Sequence, residues 1–204
     1  SLAITAKDNA SGSALIAKNN GNRFDAVFDA GSMRFGRTLA TVADGSVRQE
    51  TDFKLMSIGR RTQDGRLDTE VDMEAFTASS SRSAKIDAQD NRAVFDKSDA
   101  VTSWYKNRPE GFEHGYTFNQ PLAGEGLLEV QLNVRAQITG LAQGAEDRTP
   151  ALKFDDKRQQ LIFGDLRYHK LVATDAAGKT LLASMAFDQT SHTLSLNVDD
   201  TGAV

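Results

Sequence analysis

The sequence has no cysteine, only three prolines and no long apolar run, and these absences exclude several classes of protein. Without cysteine there is neither a disulfide framework nor a thiolate metal site. No apolar stretch approaches the roughly 18 to 20 residues that a membrane-spanning helix needs, so we expect no membrane insertion. The start of the chain at Ser1 shows neither the basic residues nor the apolar stretch of a signal peptide.

Positive charge is also in short supply. The 24 lysine and arginine residues are outnumbered by 28 aspartate and glutamate residues, which gives a formal net charge of -4. This balance lacks the basic footprint of a nucleic-acid-binding protein, so we expect no nucleic-acid partner. Apolar residues make up 39% and charged residues 25% of the 204 residues, a composition typical of one large or two small globular domains.

Alternation of apolar and polar residues is the dominant pattern in the chain. In residues 128–138 every second residue is apolar and the residues between them are polar. Residues 65–77 and 192–198 alternate in the same way. Because successive side chains of a strand point to opposite faces of a sheet, this period predicts strands with one apolar face.

Shorter runs, separated by clusters of Asp, Asn, Ser and Gly that favour turns, extend this interpretation. They predict further strands at residues 2–6, 14–18, 23–29, 33–37, 51–60, 84–88, 92–96, 101–106, 116–119, 152–155, 160–163, 166–175 and 180–187. The fold class is therefore predicted to be all-β, an antiparallel β-sandwich in which two sheets pack face to face. A change in composition near residues 97–99 divides it into a β-rich N-terminal lobe, 1–98, and a β-sandwich C-terminal lobe, 99–204, unless the two form one continuous domain.

An acidic row is the strongest candidate for a metal site. Asp68, Glu70, Asp72 and Glu74 share one face of the predicted strand 65–77, and carboxylates are the ligands that calcium prefers. Residues two apart on a strand lie roughly 7 Å from each other, too far to hold one ion without help, so a solvated face is the favoured interpretation. We expect no metal site and no cofactor, with calcium the one ion left open.

No arrangement of residues predicts catalysis. The three histidines lack the i, i+2 or i, i+4 spacing of a zinc site, and the sequence has neither a Gly-x-Ser-x-Gly motif nor a phosphate-binding loop. A hydrolase that uses paired carboxylates stays open as an alternative, because a chain with 28 acids always offers such a pair.

Aromatic residues concentrate between Trp104 and Phe118. Exposed rings can stack on sugars, so Trp104, Tyr105 and Tyr116, joined by Tyr168, are candidate carbohydrate- or protein-binding residues. The favoured interpretation places this stretch in a core, with residues 107–111 forming a hairpin turn in which Pro109 presets the backbone.

The same stretch, WYKNRPEGFEHGYT at 104–117, resembles a signature in N-terminal regions of large bacterial secreted or surface proteins that carry FG-GAP (integrin-like) or other extracellular repeats. Similar segments follow in order: LLEVQL at 127–132, LRYHKLVATDAAGK at 166–179 and LSLNVDDTGA at 194–203. The resemblance covers residues 99–204 well and 20–76 loosely. It implies an N-terminal part of a longer, exported, multidomain protein and supplies no catalytic residue.

These observations favour a non-catalytic, extracellular or cell-surface β-sandwich module that serves adhesion, protein recognition or assembly. Its partner would be a protein or a cell-surface glycan, met by a rigid sheet surface or by an edge strand that accepts a partner strand. The alternatives are a carbohydrate-binding module that uses Trp104, Tyr105 and Tyr116, and a hydrolase with paired carboxylates.

Overall fold

The computed structural model describes residues 2–9, 12–28, 31–43, 45–68, 71, 84–87, 89–96, 100–140 and 150–204. The described residues form strands, turns and irregular connections, and they include no helix long and apolar enough to cross a membrane. Most of the predicted strand 65–77, with Glu70, Asp72 and Glu74 of its acidic row, lies outside the described residues. So does the predicted boundary at residues 97–99.

Seventeen strands are present among the described residues. In chain order they are β1 Ile4–Asn9, β2 Gly12–Asn19, β3 Phe24–Phe28, β4 Ser32–Val42, β5 Gly45–Arg61, β6 Leu67–Asp68, β7 Ala84–Asp87, β8 Arg92–Asp96, β9 Val101–Arg108, β10 Gly111–Phe118, β11 Leu127–Thr139, β12 Leu152–Asp155, β13 Gln160–Phe163, β14 Leu166–Tyr168, β15 Ala173–Thr174, β16 Thr180–Asp188 and β17 Thr193–Asp199.

The strands form one large and two small antiparallel sheets. The ten-stranded sheet has the order β1-β2-β3-β4-β5-β11-β17-β16-β15, with β6 also paired to β5. The small sheets have the orders β10-β9-β8-β7 and β12-β13-β14. The predicted class, an all-β antiparallel β-sandwich, is confirmed.

Two strand predictions differ from the structure in an informative way. β5 begins at Gly45, six residues before the prediction, because Val47 is the single apolar side chain in residues 45–50 and one such residue gives no alternating signal. The sequence predicts one strand over 166–175, yet this run forms β14 and β15 with an irregular connection between them. Lys170 lies in that connection with a φ of 64°, a left-handed backbone that interrupts an extended strand.

The contacts between residues divide the chain into two compact units, and each unit consists of three segments of the chain. Unit 1 comprises Ser1–Phe53, Glu74–Pro121 and Gln137–Arg148. Unit 2 comprises Lys54–Met73, Leu122–Ala136 and Thr149–Val204. The division into lobes 1–98 and 99–204 stays a prediction, since its boundary falls outside the described residues.

The core of unit 1 is rich in aromatic rings. Phe28 is fully buried and stacks on Tyr105 at 4.5 Å between ring centroids, and Phe95 meets Tyr105 edge-on at 5.7 Å. Phe112 contacts Phe28 at 5.5 Å and Phe35 at 5.4 Å. Offset and edge-to-face ring pairs add to the free energy gained from burial, so these rings join the large sheet to the β10-β9-β8-β7 sheet within unit 1.

The core of unit 2 is aliphatic. Among the described residues, the large buried side chains of this core are aliphatic or methionine, apart from the ring of Phe163. They are Leu55, Ile58, Leu128, Val130, Leu132, Val134, Leu152, Leu161, Phe163, Met185, Leu194 and Leu196. In β11 the even-numbered residues 128 to 136 are buried, as the alternation predicts. Burying each such side chain contributes about 1.5–3 kcal/mol, so these rows are the main source of stability in unit 2.

Candidate binding groove

The aromatic residues singled out in the sequence do not share one surface. In the β9–β10 hairpin, Tyr116 lies opposite Ser103, and Trp104 lies opposite Gly115. Directly opposed residues of an antiparallel pair point to the same sheet face, and neighbours along a strand point to opposite faces. Trp104 therefore projects from one face of the hairpin, while Tyr105 and Tyr116 project from the other.

Trp104 is held against its own sheet. The indole covers Gly115 so closely that a Cβ built there would lie 2.3 Å from the ring, and the Arg92 guanidinium lies 5.1 Å from the ring centroid. A cation above an indole is attracted to the π electrons of the ring. Gly115 and Arg92 thus fix the position of Trp104 in unit 1.

Tyr105 and Tyr116 both lie in the aromatic core or at its margin. Tyr105 is buried, in agreement with the favoured core interpretation of this stretch. His114 stacks on Tyr105 at 6.1 Å and meets Tyr116 edge-on at 5.8 Å. Burial lowers the pKa of His114 to about 4 and raises the pKa of Tyr116, so both side chains are neutral at neutral pH. Tyr168 lies at the end of β14 in unit 2 and is half-buried.

The hairpin turn of the signature comprises residues 109–110, which is shorter than the predicted 107–111, because Asn107 continues β9 and Gly111 begins β10. Asn107 serves a structural purpose that the sequence did not reveal. Asn107 is buried, and its side-chain amide donates to the carbonyl oxygens of Leu2, at 2.9 Å, and Lys18, at 3.0 Å. Its Oδ1 accepts a hydrogen bond of 3.0 Å from Asn19, which is also buried and donates to the carbonyl of Arg108 at 2.7 Å. Buried amides must be hydrogen-bonded, so these two asparagines clasp the β9–β10 turn to β2.

Unit 2 contains a concave surface, an open groove of about 490 Å³. It lies on the polar face of the sheet formed by β11, β17 and β16, where Gln131 is opposite Ser195 and Ser195 is opposite Ala186. The residues that line it are mainly polar: Arg61, Gln131, Ala186, Phe187, Asp188, Ser191, Thr193 and Ser195. We call this surface the unit 2 groove.

A fully buried carboxylate lies beneath the unit 2 groove. Glu129 has no exposed side-chain surface, although its position among the polar residues of β11 suggested the outer face. Arg61 donates to both of its oxygens, through Nε to Oε2 and through Nη2 to Oε1 at 2.7 Å. Gln131 donates to Oε1 at 2.7 Å, and Ser195 donates to it at 3.0 Å. Four hydrogen bonds offset the cost of removing this charge from water.

The hydrogen bonds also decide the charge of Glu129. Burial alone raises the pKa of its carboxyl group, but the bonds from Arg61, Gln131 and Ser195 together outweigh burial and bring the pKa below 4.5. On the rim, the backbone N–H of Thr190 and the donors of Ser191 hold the pKa of Asp188 below 3.8. Both carboxylates are therefore ionised at neutral pH, and neither holds a proton for general acid catalysis.

Arg61 connects the floor of the groove to its opening. Its guanidinium has five N–H donors, of which two bind Glu129 and a third donates to the carbonyl of Gly65 at 2.6 Å. The side chain is 33% exposed and lines the groove. The groove thus has a cationic end at Arg61 and an anionic rim at Asp188, with hydroxyl groups between them.

A buried arginine, Arg60, stabilises unit 2 away from the groove. Arg60 points to the opposite face of β5 from Arg61 and forms a two-bond ion pair with Asp200. It also donates to the carbonyls of Leu122, at 2.8 Å, and Gly126, at 3.3 Å. Asp200 therefore pairs with an arginine, whereas Asp199 caps the next turn by accepting the N–H of Thr201 at 3.1 Å.

The other acidic clusters also serve turns. Asp87 accepts the N–H of Gln89 at 3.0 Å, Asp90 pairs with Lys106 at 2.9 Å, and Asp155 accepts the N–H of Arg158 at 3.1 Å. No group of three or more acidic, histidine or cysteine side chains close enough to hold a metal ion occurs among the described residues.

A smaller concavity of about 200 Å³ lies in unit 1, between Lys18, Arg23 and Arg48. One of these cations, Arg48, is engaged by the sheet itself. Arg48 pairs with Asp25 at 2.6 Å and donates to Thr38 at 3.1 Å. Its guanidinium also occupies the space above Gly36, where a Cβ would lie 2.0 Å from Nη2. This surface is a braced ion-pair network.

Comparisons with protein-family models, with curated protein sequences and with solved structures found no match to this chain.

Proposed function

We propose that the chain is a non-catalytic recognition module that holds a segment of a partner protein in the unit 2 groove. The observation that carries the proposal is the floor of that groove, where Glu129, Arg61, Gln131 and Ser195 form one hydrogen-bonded network. Side chains fixed in this way lose little conformational entropy when a partner binds, so a rigid polar surface favours affinity. Adhesion or assembly at a bacterial cell surface is the proposed setting, which the resemblance of residues 99–204 supports.

Binding is favoured over chemistry by the state of the two acids. Catalysis by paired carboxylates needs one acid that keeps its proton, with a raised pKa. Glu129 and Asp188 both have lowered pKa values, and Glu129 has no surface open to a substrate. The network keeps Glu129 ionised at neutral pH, so that it has no proton to donate, and the same negative charge makes it a good anchor for Arg61.

A protein partner is favoured over a glycan by the placement of the rings. A sugar platform needs a flat, exposed ring, and the candidate rings Trp104 and Tyr116 point to opposite faces of their hairpin. The unit 2 groove instead offers hydroxyl, amide and guanidinium groups, which pair with the peptide groups and polar side chains of a protein segment.

The test is selection of linear 12-residue peptides from a phage-displayed library on the full chain, followed by titration of the selected peptides. Ala186 is exposed in the groove and takes no part in the network beneath it. Ala186→Trp should fill the groove and weaken peptide binding about tenfold or more. Ala177→Trp, in an exposed turn of the same unit, is the matched control and should leave the affinity unchanged.

Two results would overturn the proposal. One is the absence of any selected peptide, and the other is equal binding by the Ala186→Trp and Ala177→Trp variants. Glycans are tested in parallel through the fluorescence of Trp104, the only tryptophan in the chain. We expect no change in this fluorescence when glycans are added. A saturable shift of the emission would instead indicate a carbohydrate-binding site in unit 1.

A further inference from the structure

We propose that the partner segment binds as an added β-strand along the free edge of β16, next to the unit 2 groove. This inference rests on the proposed function and specifies how the partner is held. Strand addition supplies affinity through main-chain hydrogen bonds, while side chains on alternate positions supply specificity.

Among the described strands, only β15 pairs with the outer edge of β16, and it covers a short part of that edge. β15 pairs with it only at Thr180 and Leu181, whereas β16 continues to Asp188. Beyond Leu181, none of the described strands pairs with this edge. An open edge presents a row of N–H and C=O groups that another chain can pair with.

The direction of the free groups follows from a single hydrogen bond. The N–H of Met185 points away from β17 and donates to Oε1 of Gln159. N–H groups along a strand alternate between its two edges, so those of Ala183 and Phe187 point the same way as that of Met185. The outer edge therefore repeats its N–H and C=O groups every second residue, at a spacing of roughly 7 Å that another extended chain matches.

Gln159 already occupies the central position of this edge with a peptide-like group. Its side-chain amide accepts from Met185 and is oriented by donating from Nε2 to the carbonyl of Asp156 at 2.9 Å. A side-chain amide has the same donor and acceptor atoms as a peptide bond. An incoming strand can thus replace this bond with an equivalent one, so displacing Gln159 costs little.

The side chains along β16 indicate the chemistry of the added strand. Leu182 is 76% exposed, and the next residues on the same face, Ser184 and Ala186, are small and exposed. Val172 is also exposed, at 70%, one position beyond the last β15–β16 pair. Neighbouring residues on one sheet face pack together, so the partner should place an apolar residue beside Leu182 and a polar one beside Ala186.

The first experiment removes one edge donor without touching the inner ladder. Ala183→Pro deletes an N–H that points away from β17, a position where a sheet tolerates proline. It should weaken binding of the selected peptides about tenfold, whereas Ala183→Ser keeps the N–H and should bind within about twofold of the original chain. Gln159→Ala should strengthen binding several-fold, because the strand then displaces nothing.

The second experiment leaves the protein unchanged. A selected peptide is methylated on alternate backbone nitrogens, in two versions that block opposite edges. One version should lose binding and the other should retain it, since only one edge of an added strand faces β16. In the complex, the amides of Ala183 and Phe187 should become protected from hydrogen exchange.

The outcomes separate this inference from the proposed function. Peptides that protect groove residues but leave Ala183 and Phe187 unprotected would overturn strand addition and leave groove recognition intact. Failure to select any peptide would overturn both. If Gln159→Ala forms a dimer that Ala183→Pro abolishes, the occupant is a second copy of this chain, which overturns the assignment to a different partner.

Discussion

Unit 1 and unit 2 bury polar groups of different kinds. Unit 1 buries the neutral amides of Asn19 and Asn107, which bond each other, and packs the imidazole of His114 against the rings of its core. Unit 2 surrounds an aliphatic core with charged pairs, Arg60 with Asp200 and Arg61 with Glu129. The difference teaches where each unit is vulnerable. A neutral buried group destabilises the fold when it gains a charge, because the charge is then buried without a partner. A buried ion pair destabilises the fold when one partner is removed, because the other charge is left unpaired.

The largest effect should come from breaking the buried pair of unit 2. Arg61→Ala leaves the Glu129 carboxylate buried without its main partner, which should lower the free energy of unfolding by about 3 kcal/mol or more. Arg34→Ala is the control, because Arg34 pairs with Asp52 at an exposed site and should lose less than about 1 kcal/mol. Urea unfolding of both variants measures the difference, and equal losses would contradict the contrast between the units.

The next effect depends on pH and concerns unit 1. The folded-state pKa of His114 is about 4, below its ordinary value of 6.5, so between these values the unfolded chain binds more protons than the folded chain. The stability of unit 1 should therefore fall as the pH drops from 6.5 to 4, by up to about 3 kcal/mol. Urea unfolding followed through Trp104 fluorescence tests this.

His114→Phe should flatten that dependence of stability on pH, since it removes the group that titrates.

The contribution of Glu129 to the stability of unit 2 has a different pH dependence. Its folded-state pKa is lowered from 4.5, so the stability it contributes to unit 2 is present near neutral pH and is lost as the pH falls from about 4.5 through the folded-state value. Amide exchange in β17 as a function of pH would show this later onset, and a loss in unit 2 beginning at pH 6.5 would contradict it.

A smaller effect should follow from opening the asparagine clasp of unit 1. Asn107→Ala leaves the buried amide of Asn19 and two backbone carbonyls without their partner, at a cost of about 2 kcal/mol. Asn119→Ala removes an exposed amide that bonds Thr102 and should cost under about 0.5 kcal/mol. Thermal unfolding of the two variants measures the difference. A similar melting temperature for both would show that the hydrogen bonds of Asn107 do not stabilise unit 1.

The smallest effect should come from disturbing the packing of Trp104 against Gly115. Gly115→Ala places a Cβ where the indole now lies, so the ring must shift, at a cost of about 1 kcal/mol. The emission of Trp104 should move to longer wavelength as the ring becomes more exposed. An unchanged spectrum and unchanged stability would mean that the ring does not depend on Gly115.

Much of the fold could be predicted from alternation, because it reports which side chains face a core. β8, β12 and β13 begin and end where the sequence predicts, and β11 differs by one residue at each end. Alternation could not identify β4 and β5 in full, because residues 38–42 of β4 do not alternate strictly and residues 45–50 of β5 contain a single apolar side chain, that of Val47. It also placed Glu129 on the polar face of β11 without revealing that Arg61 and Ser195 bury it there.

The binding groove was harder to foresee, for a physical reason. Its floor joins β5, β11 and β17, and residues 61, 129 and 195 lie far apart in the chain. No local sequence motif can predict that residues so far apart in the chain lie in contact. The paired arginines at 60–61 are the one available signal, because two adjacent charges at the end of an apolar strand require partners on both faces. The aromatic signature was easier to recognise, yet it specifies the hairpin and core of unit 1.

The most direct test of the central claim is a carbon-13 NMR titration of the Glu129 carboxyl group. If the unit 2 groove is a binding surface built on a carboxylate whose oxygens are all hydrogen-bonded, the midpoint of the Glu129 titration should lie below the ordinary value of 4.5. A carboxyl group that titrates near neutral pH would hold a proton for catalysis, and it would contradict the assignment of the groove to recognition.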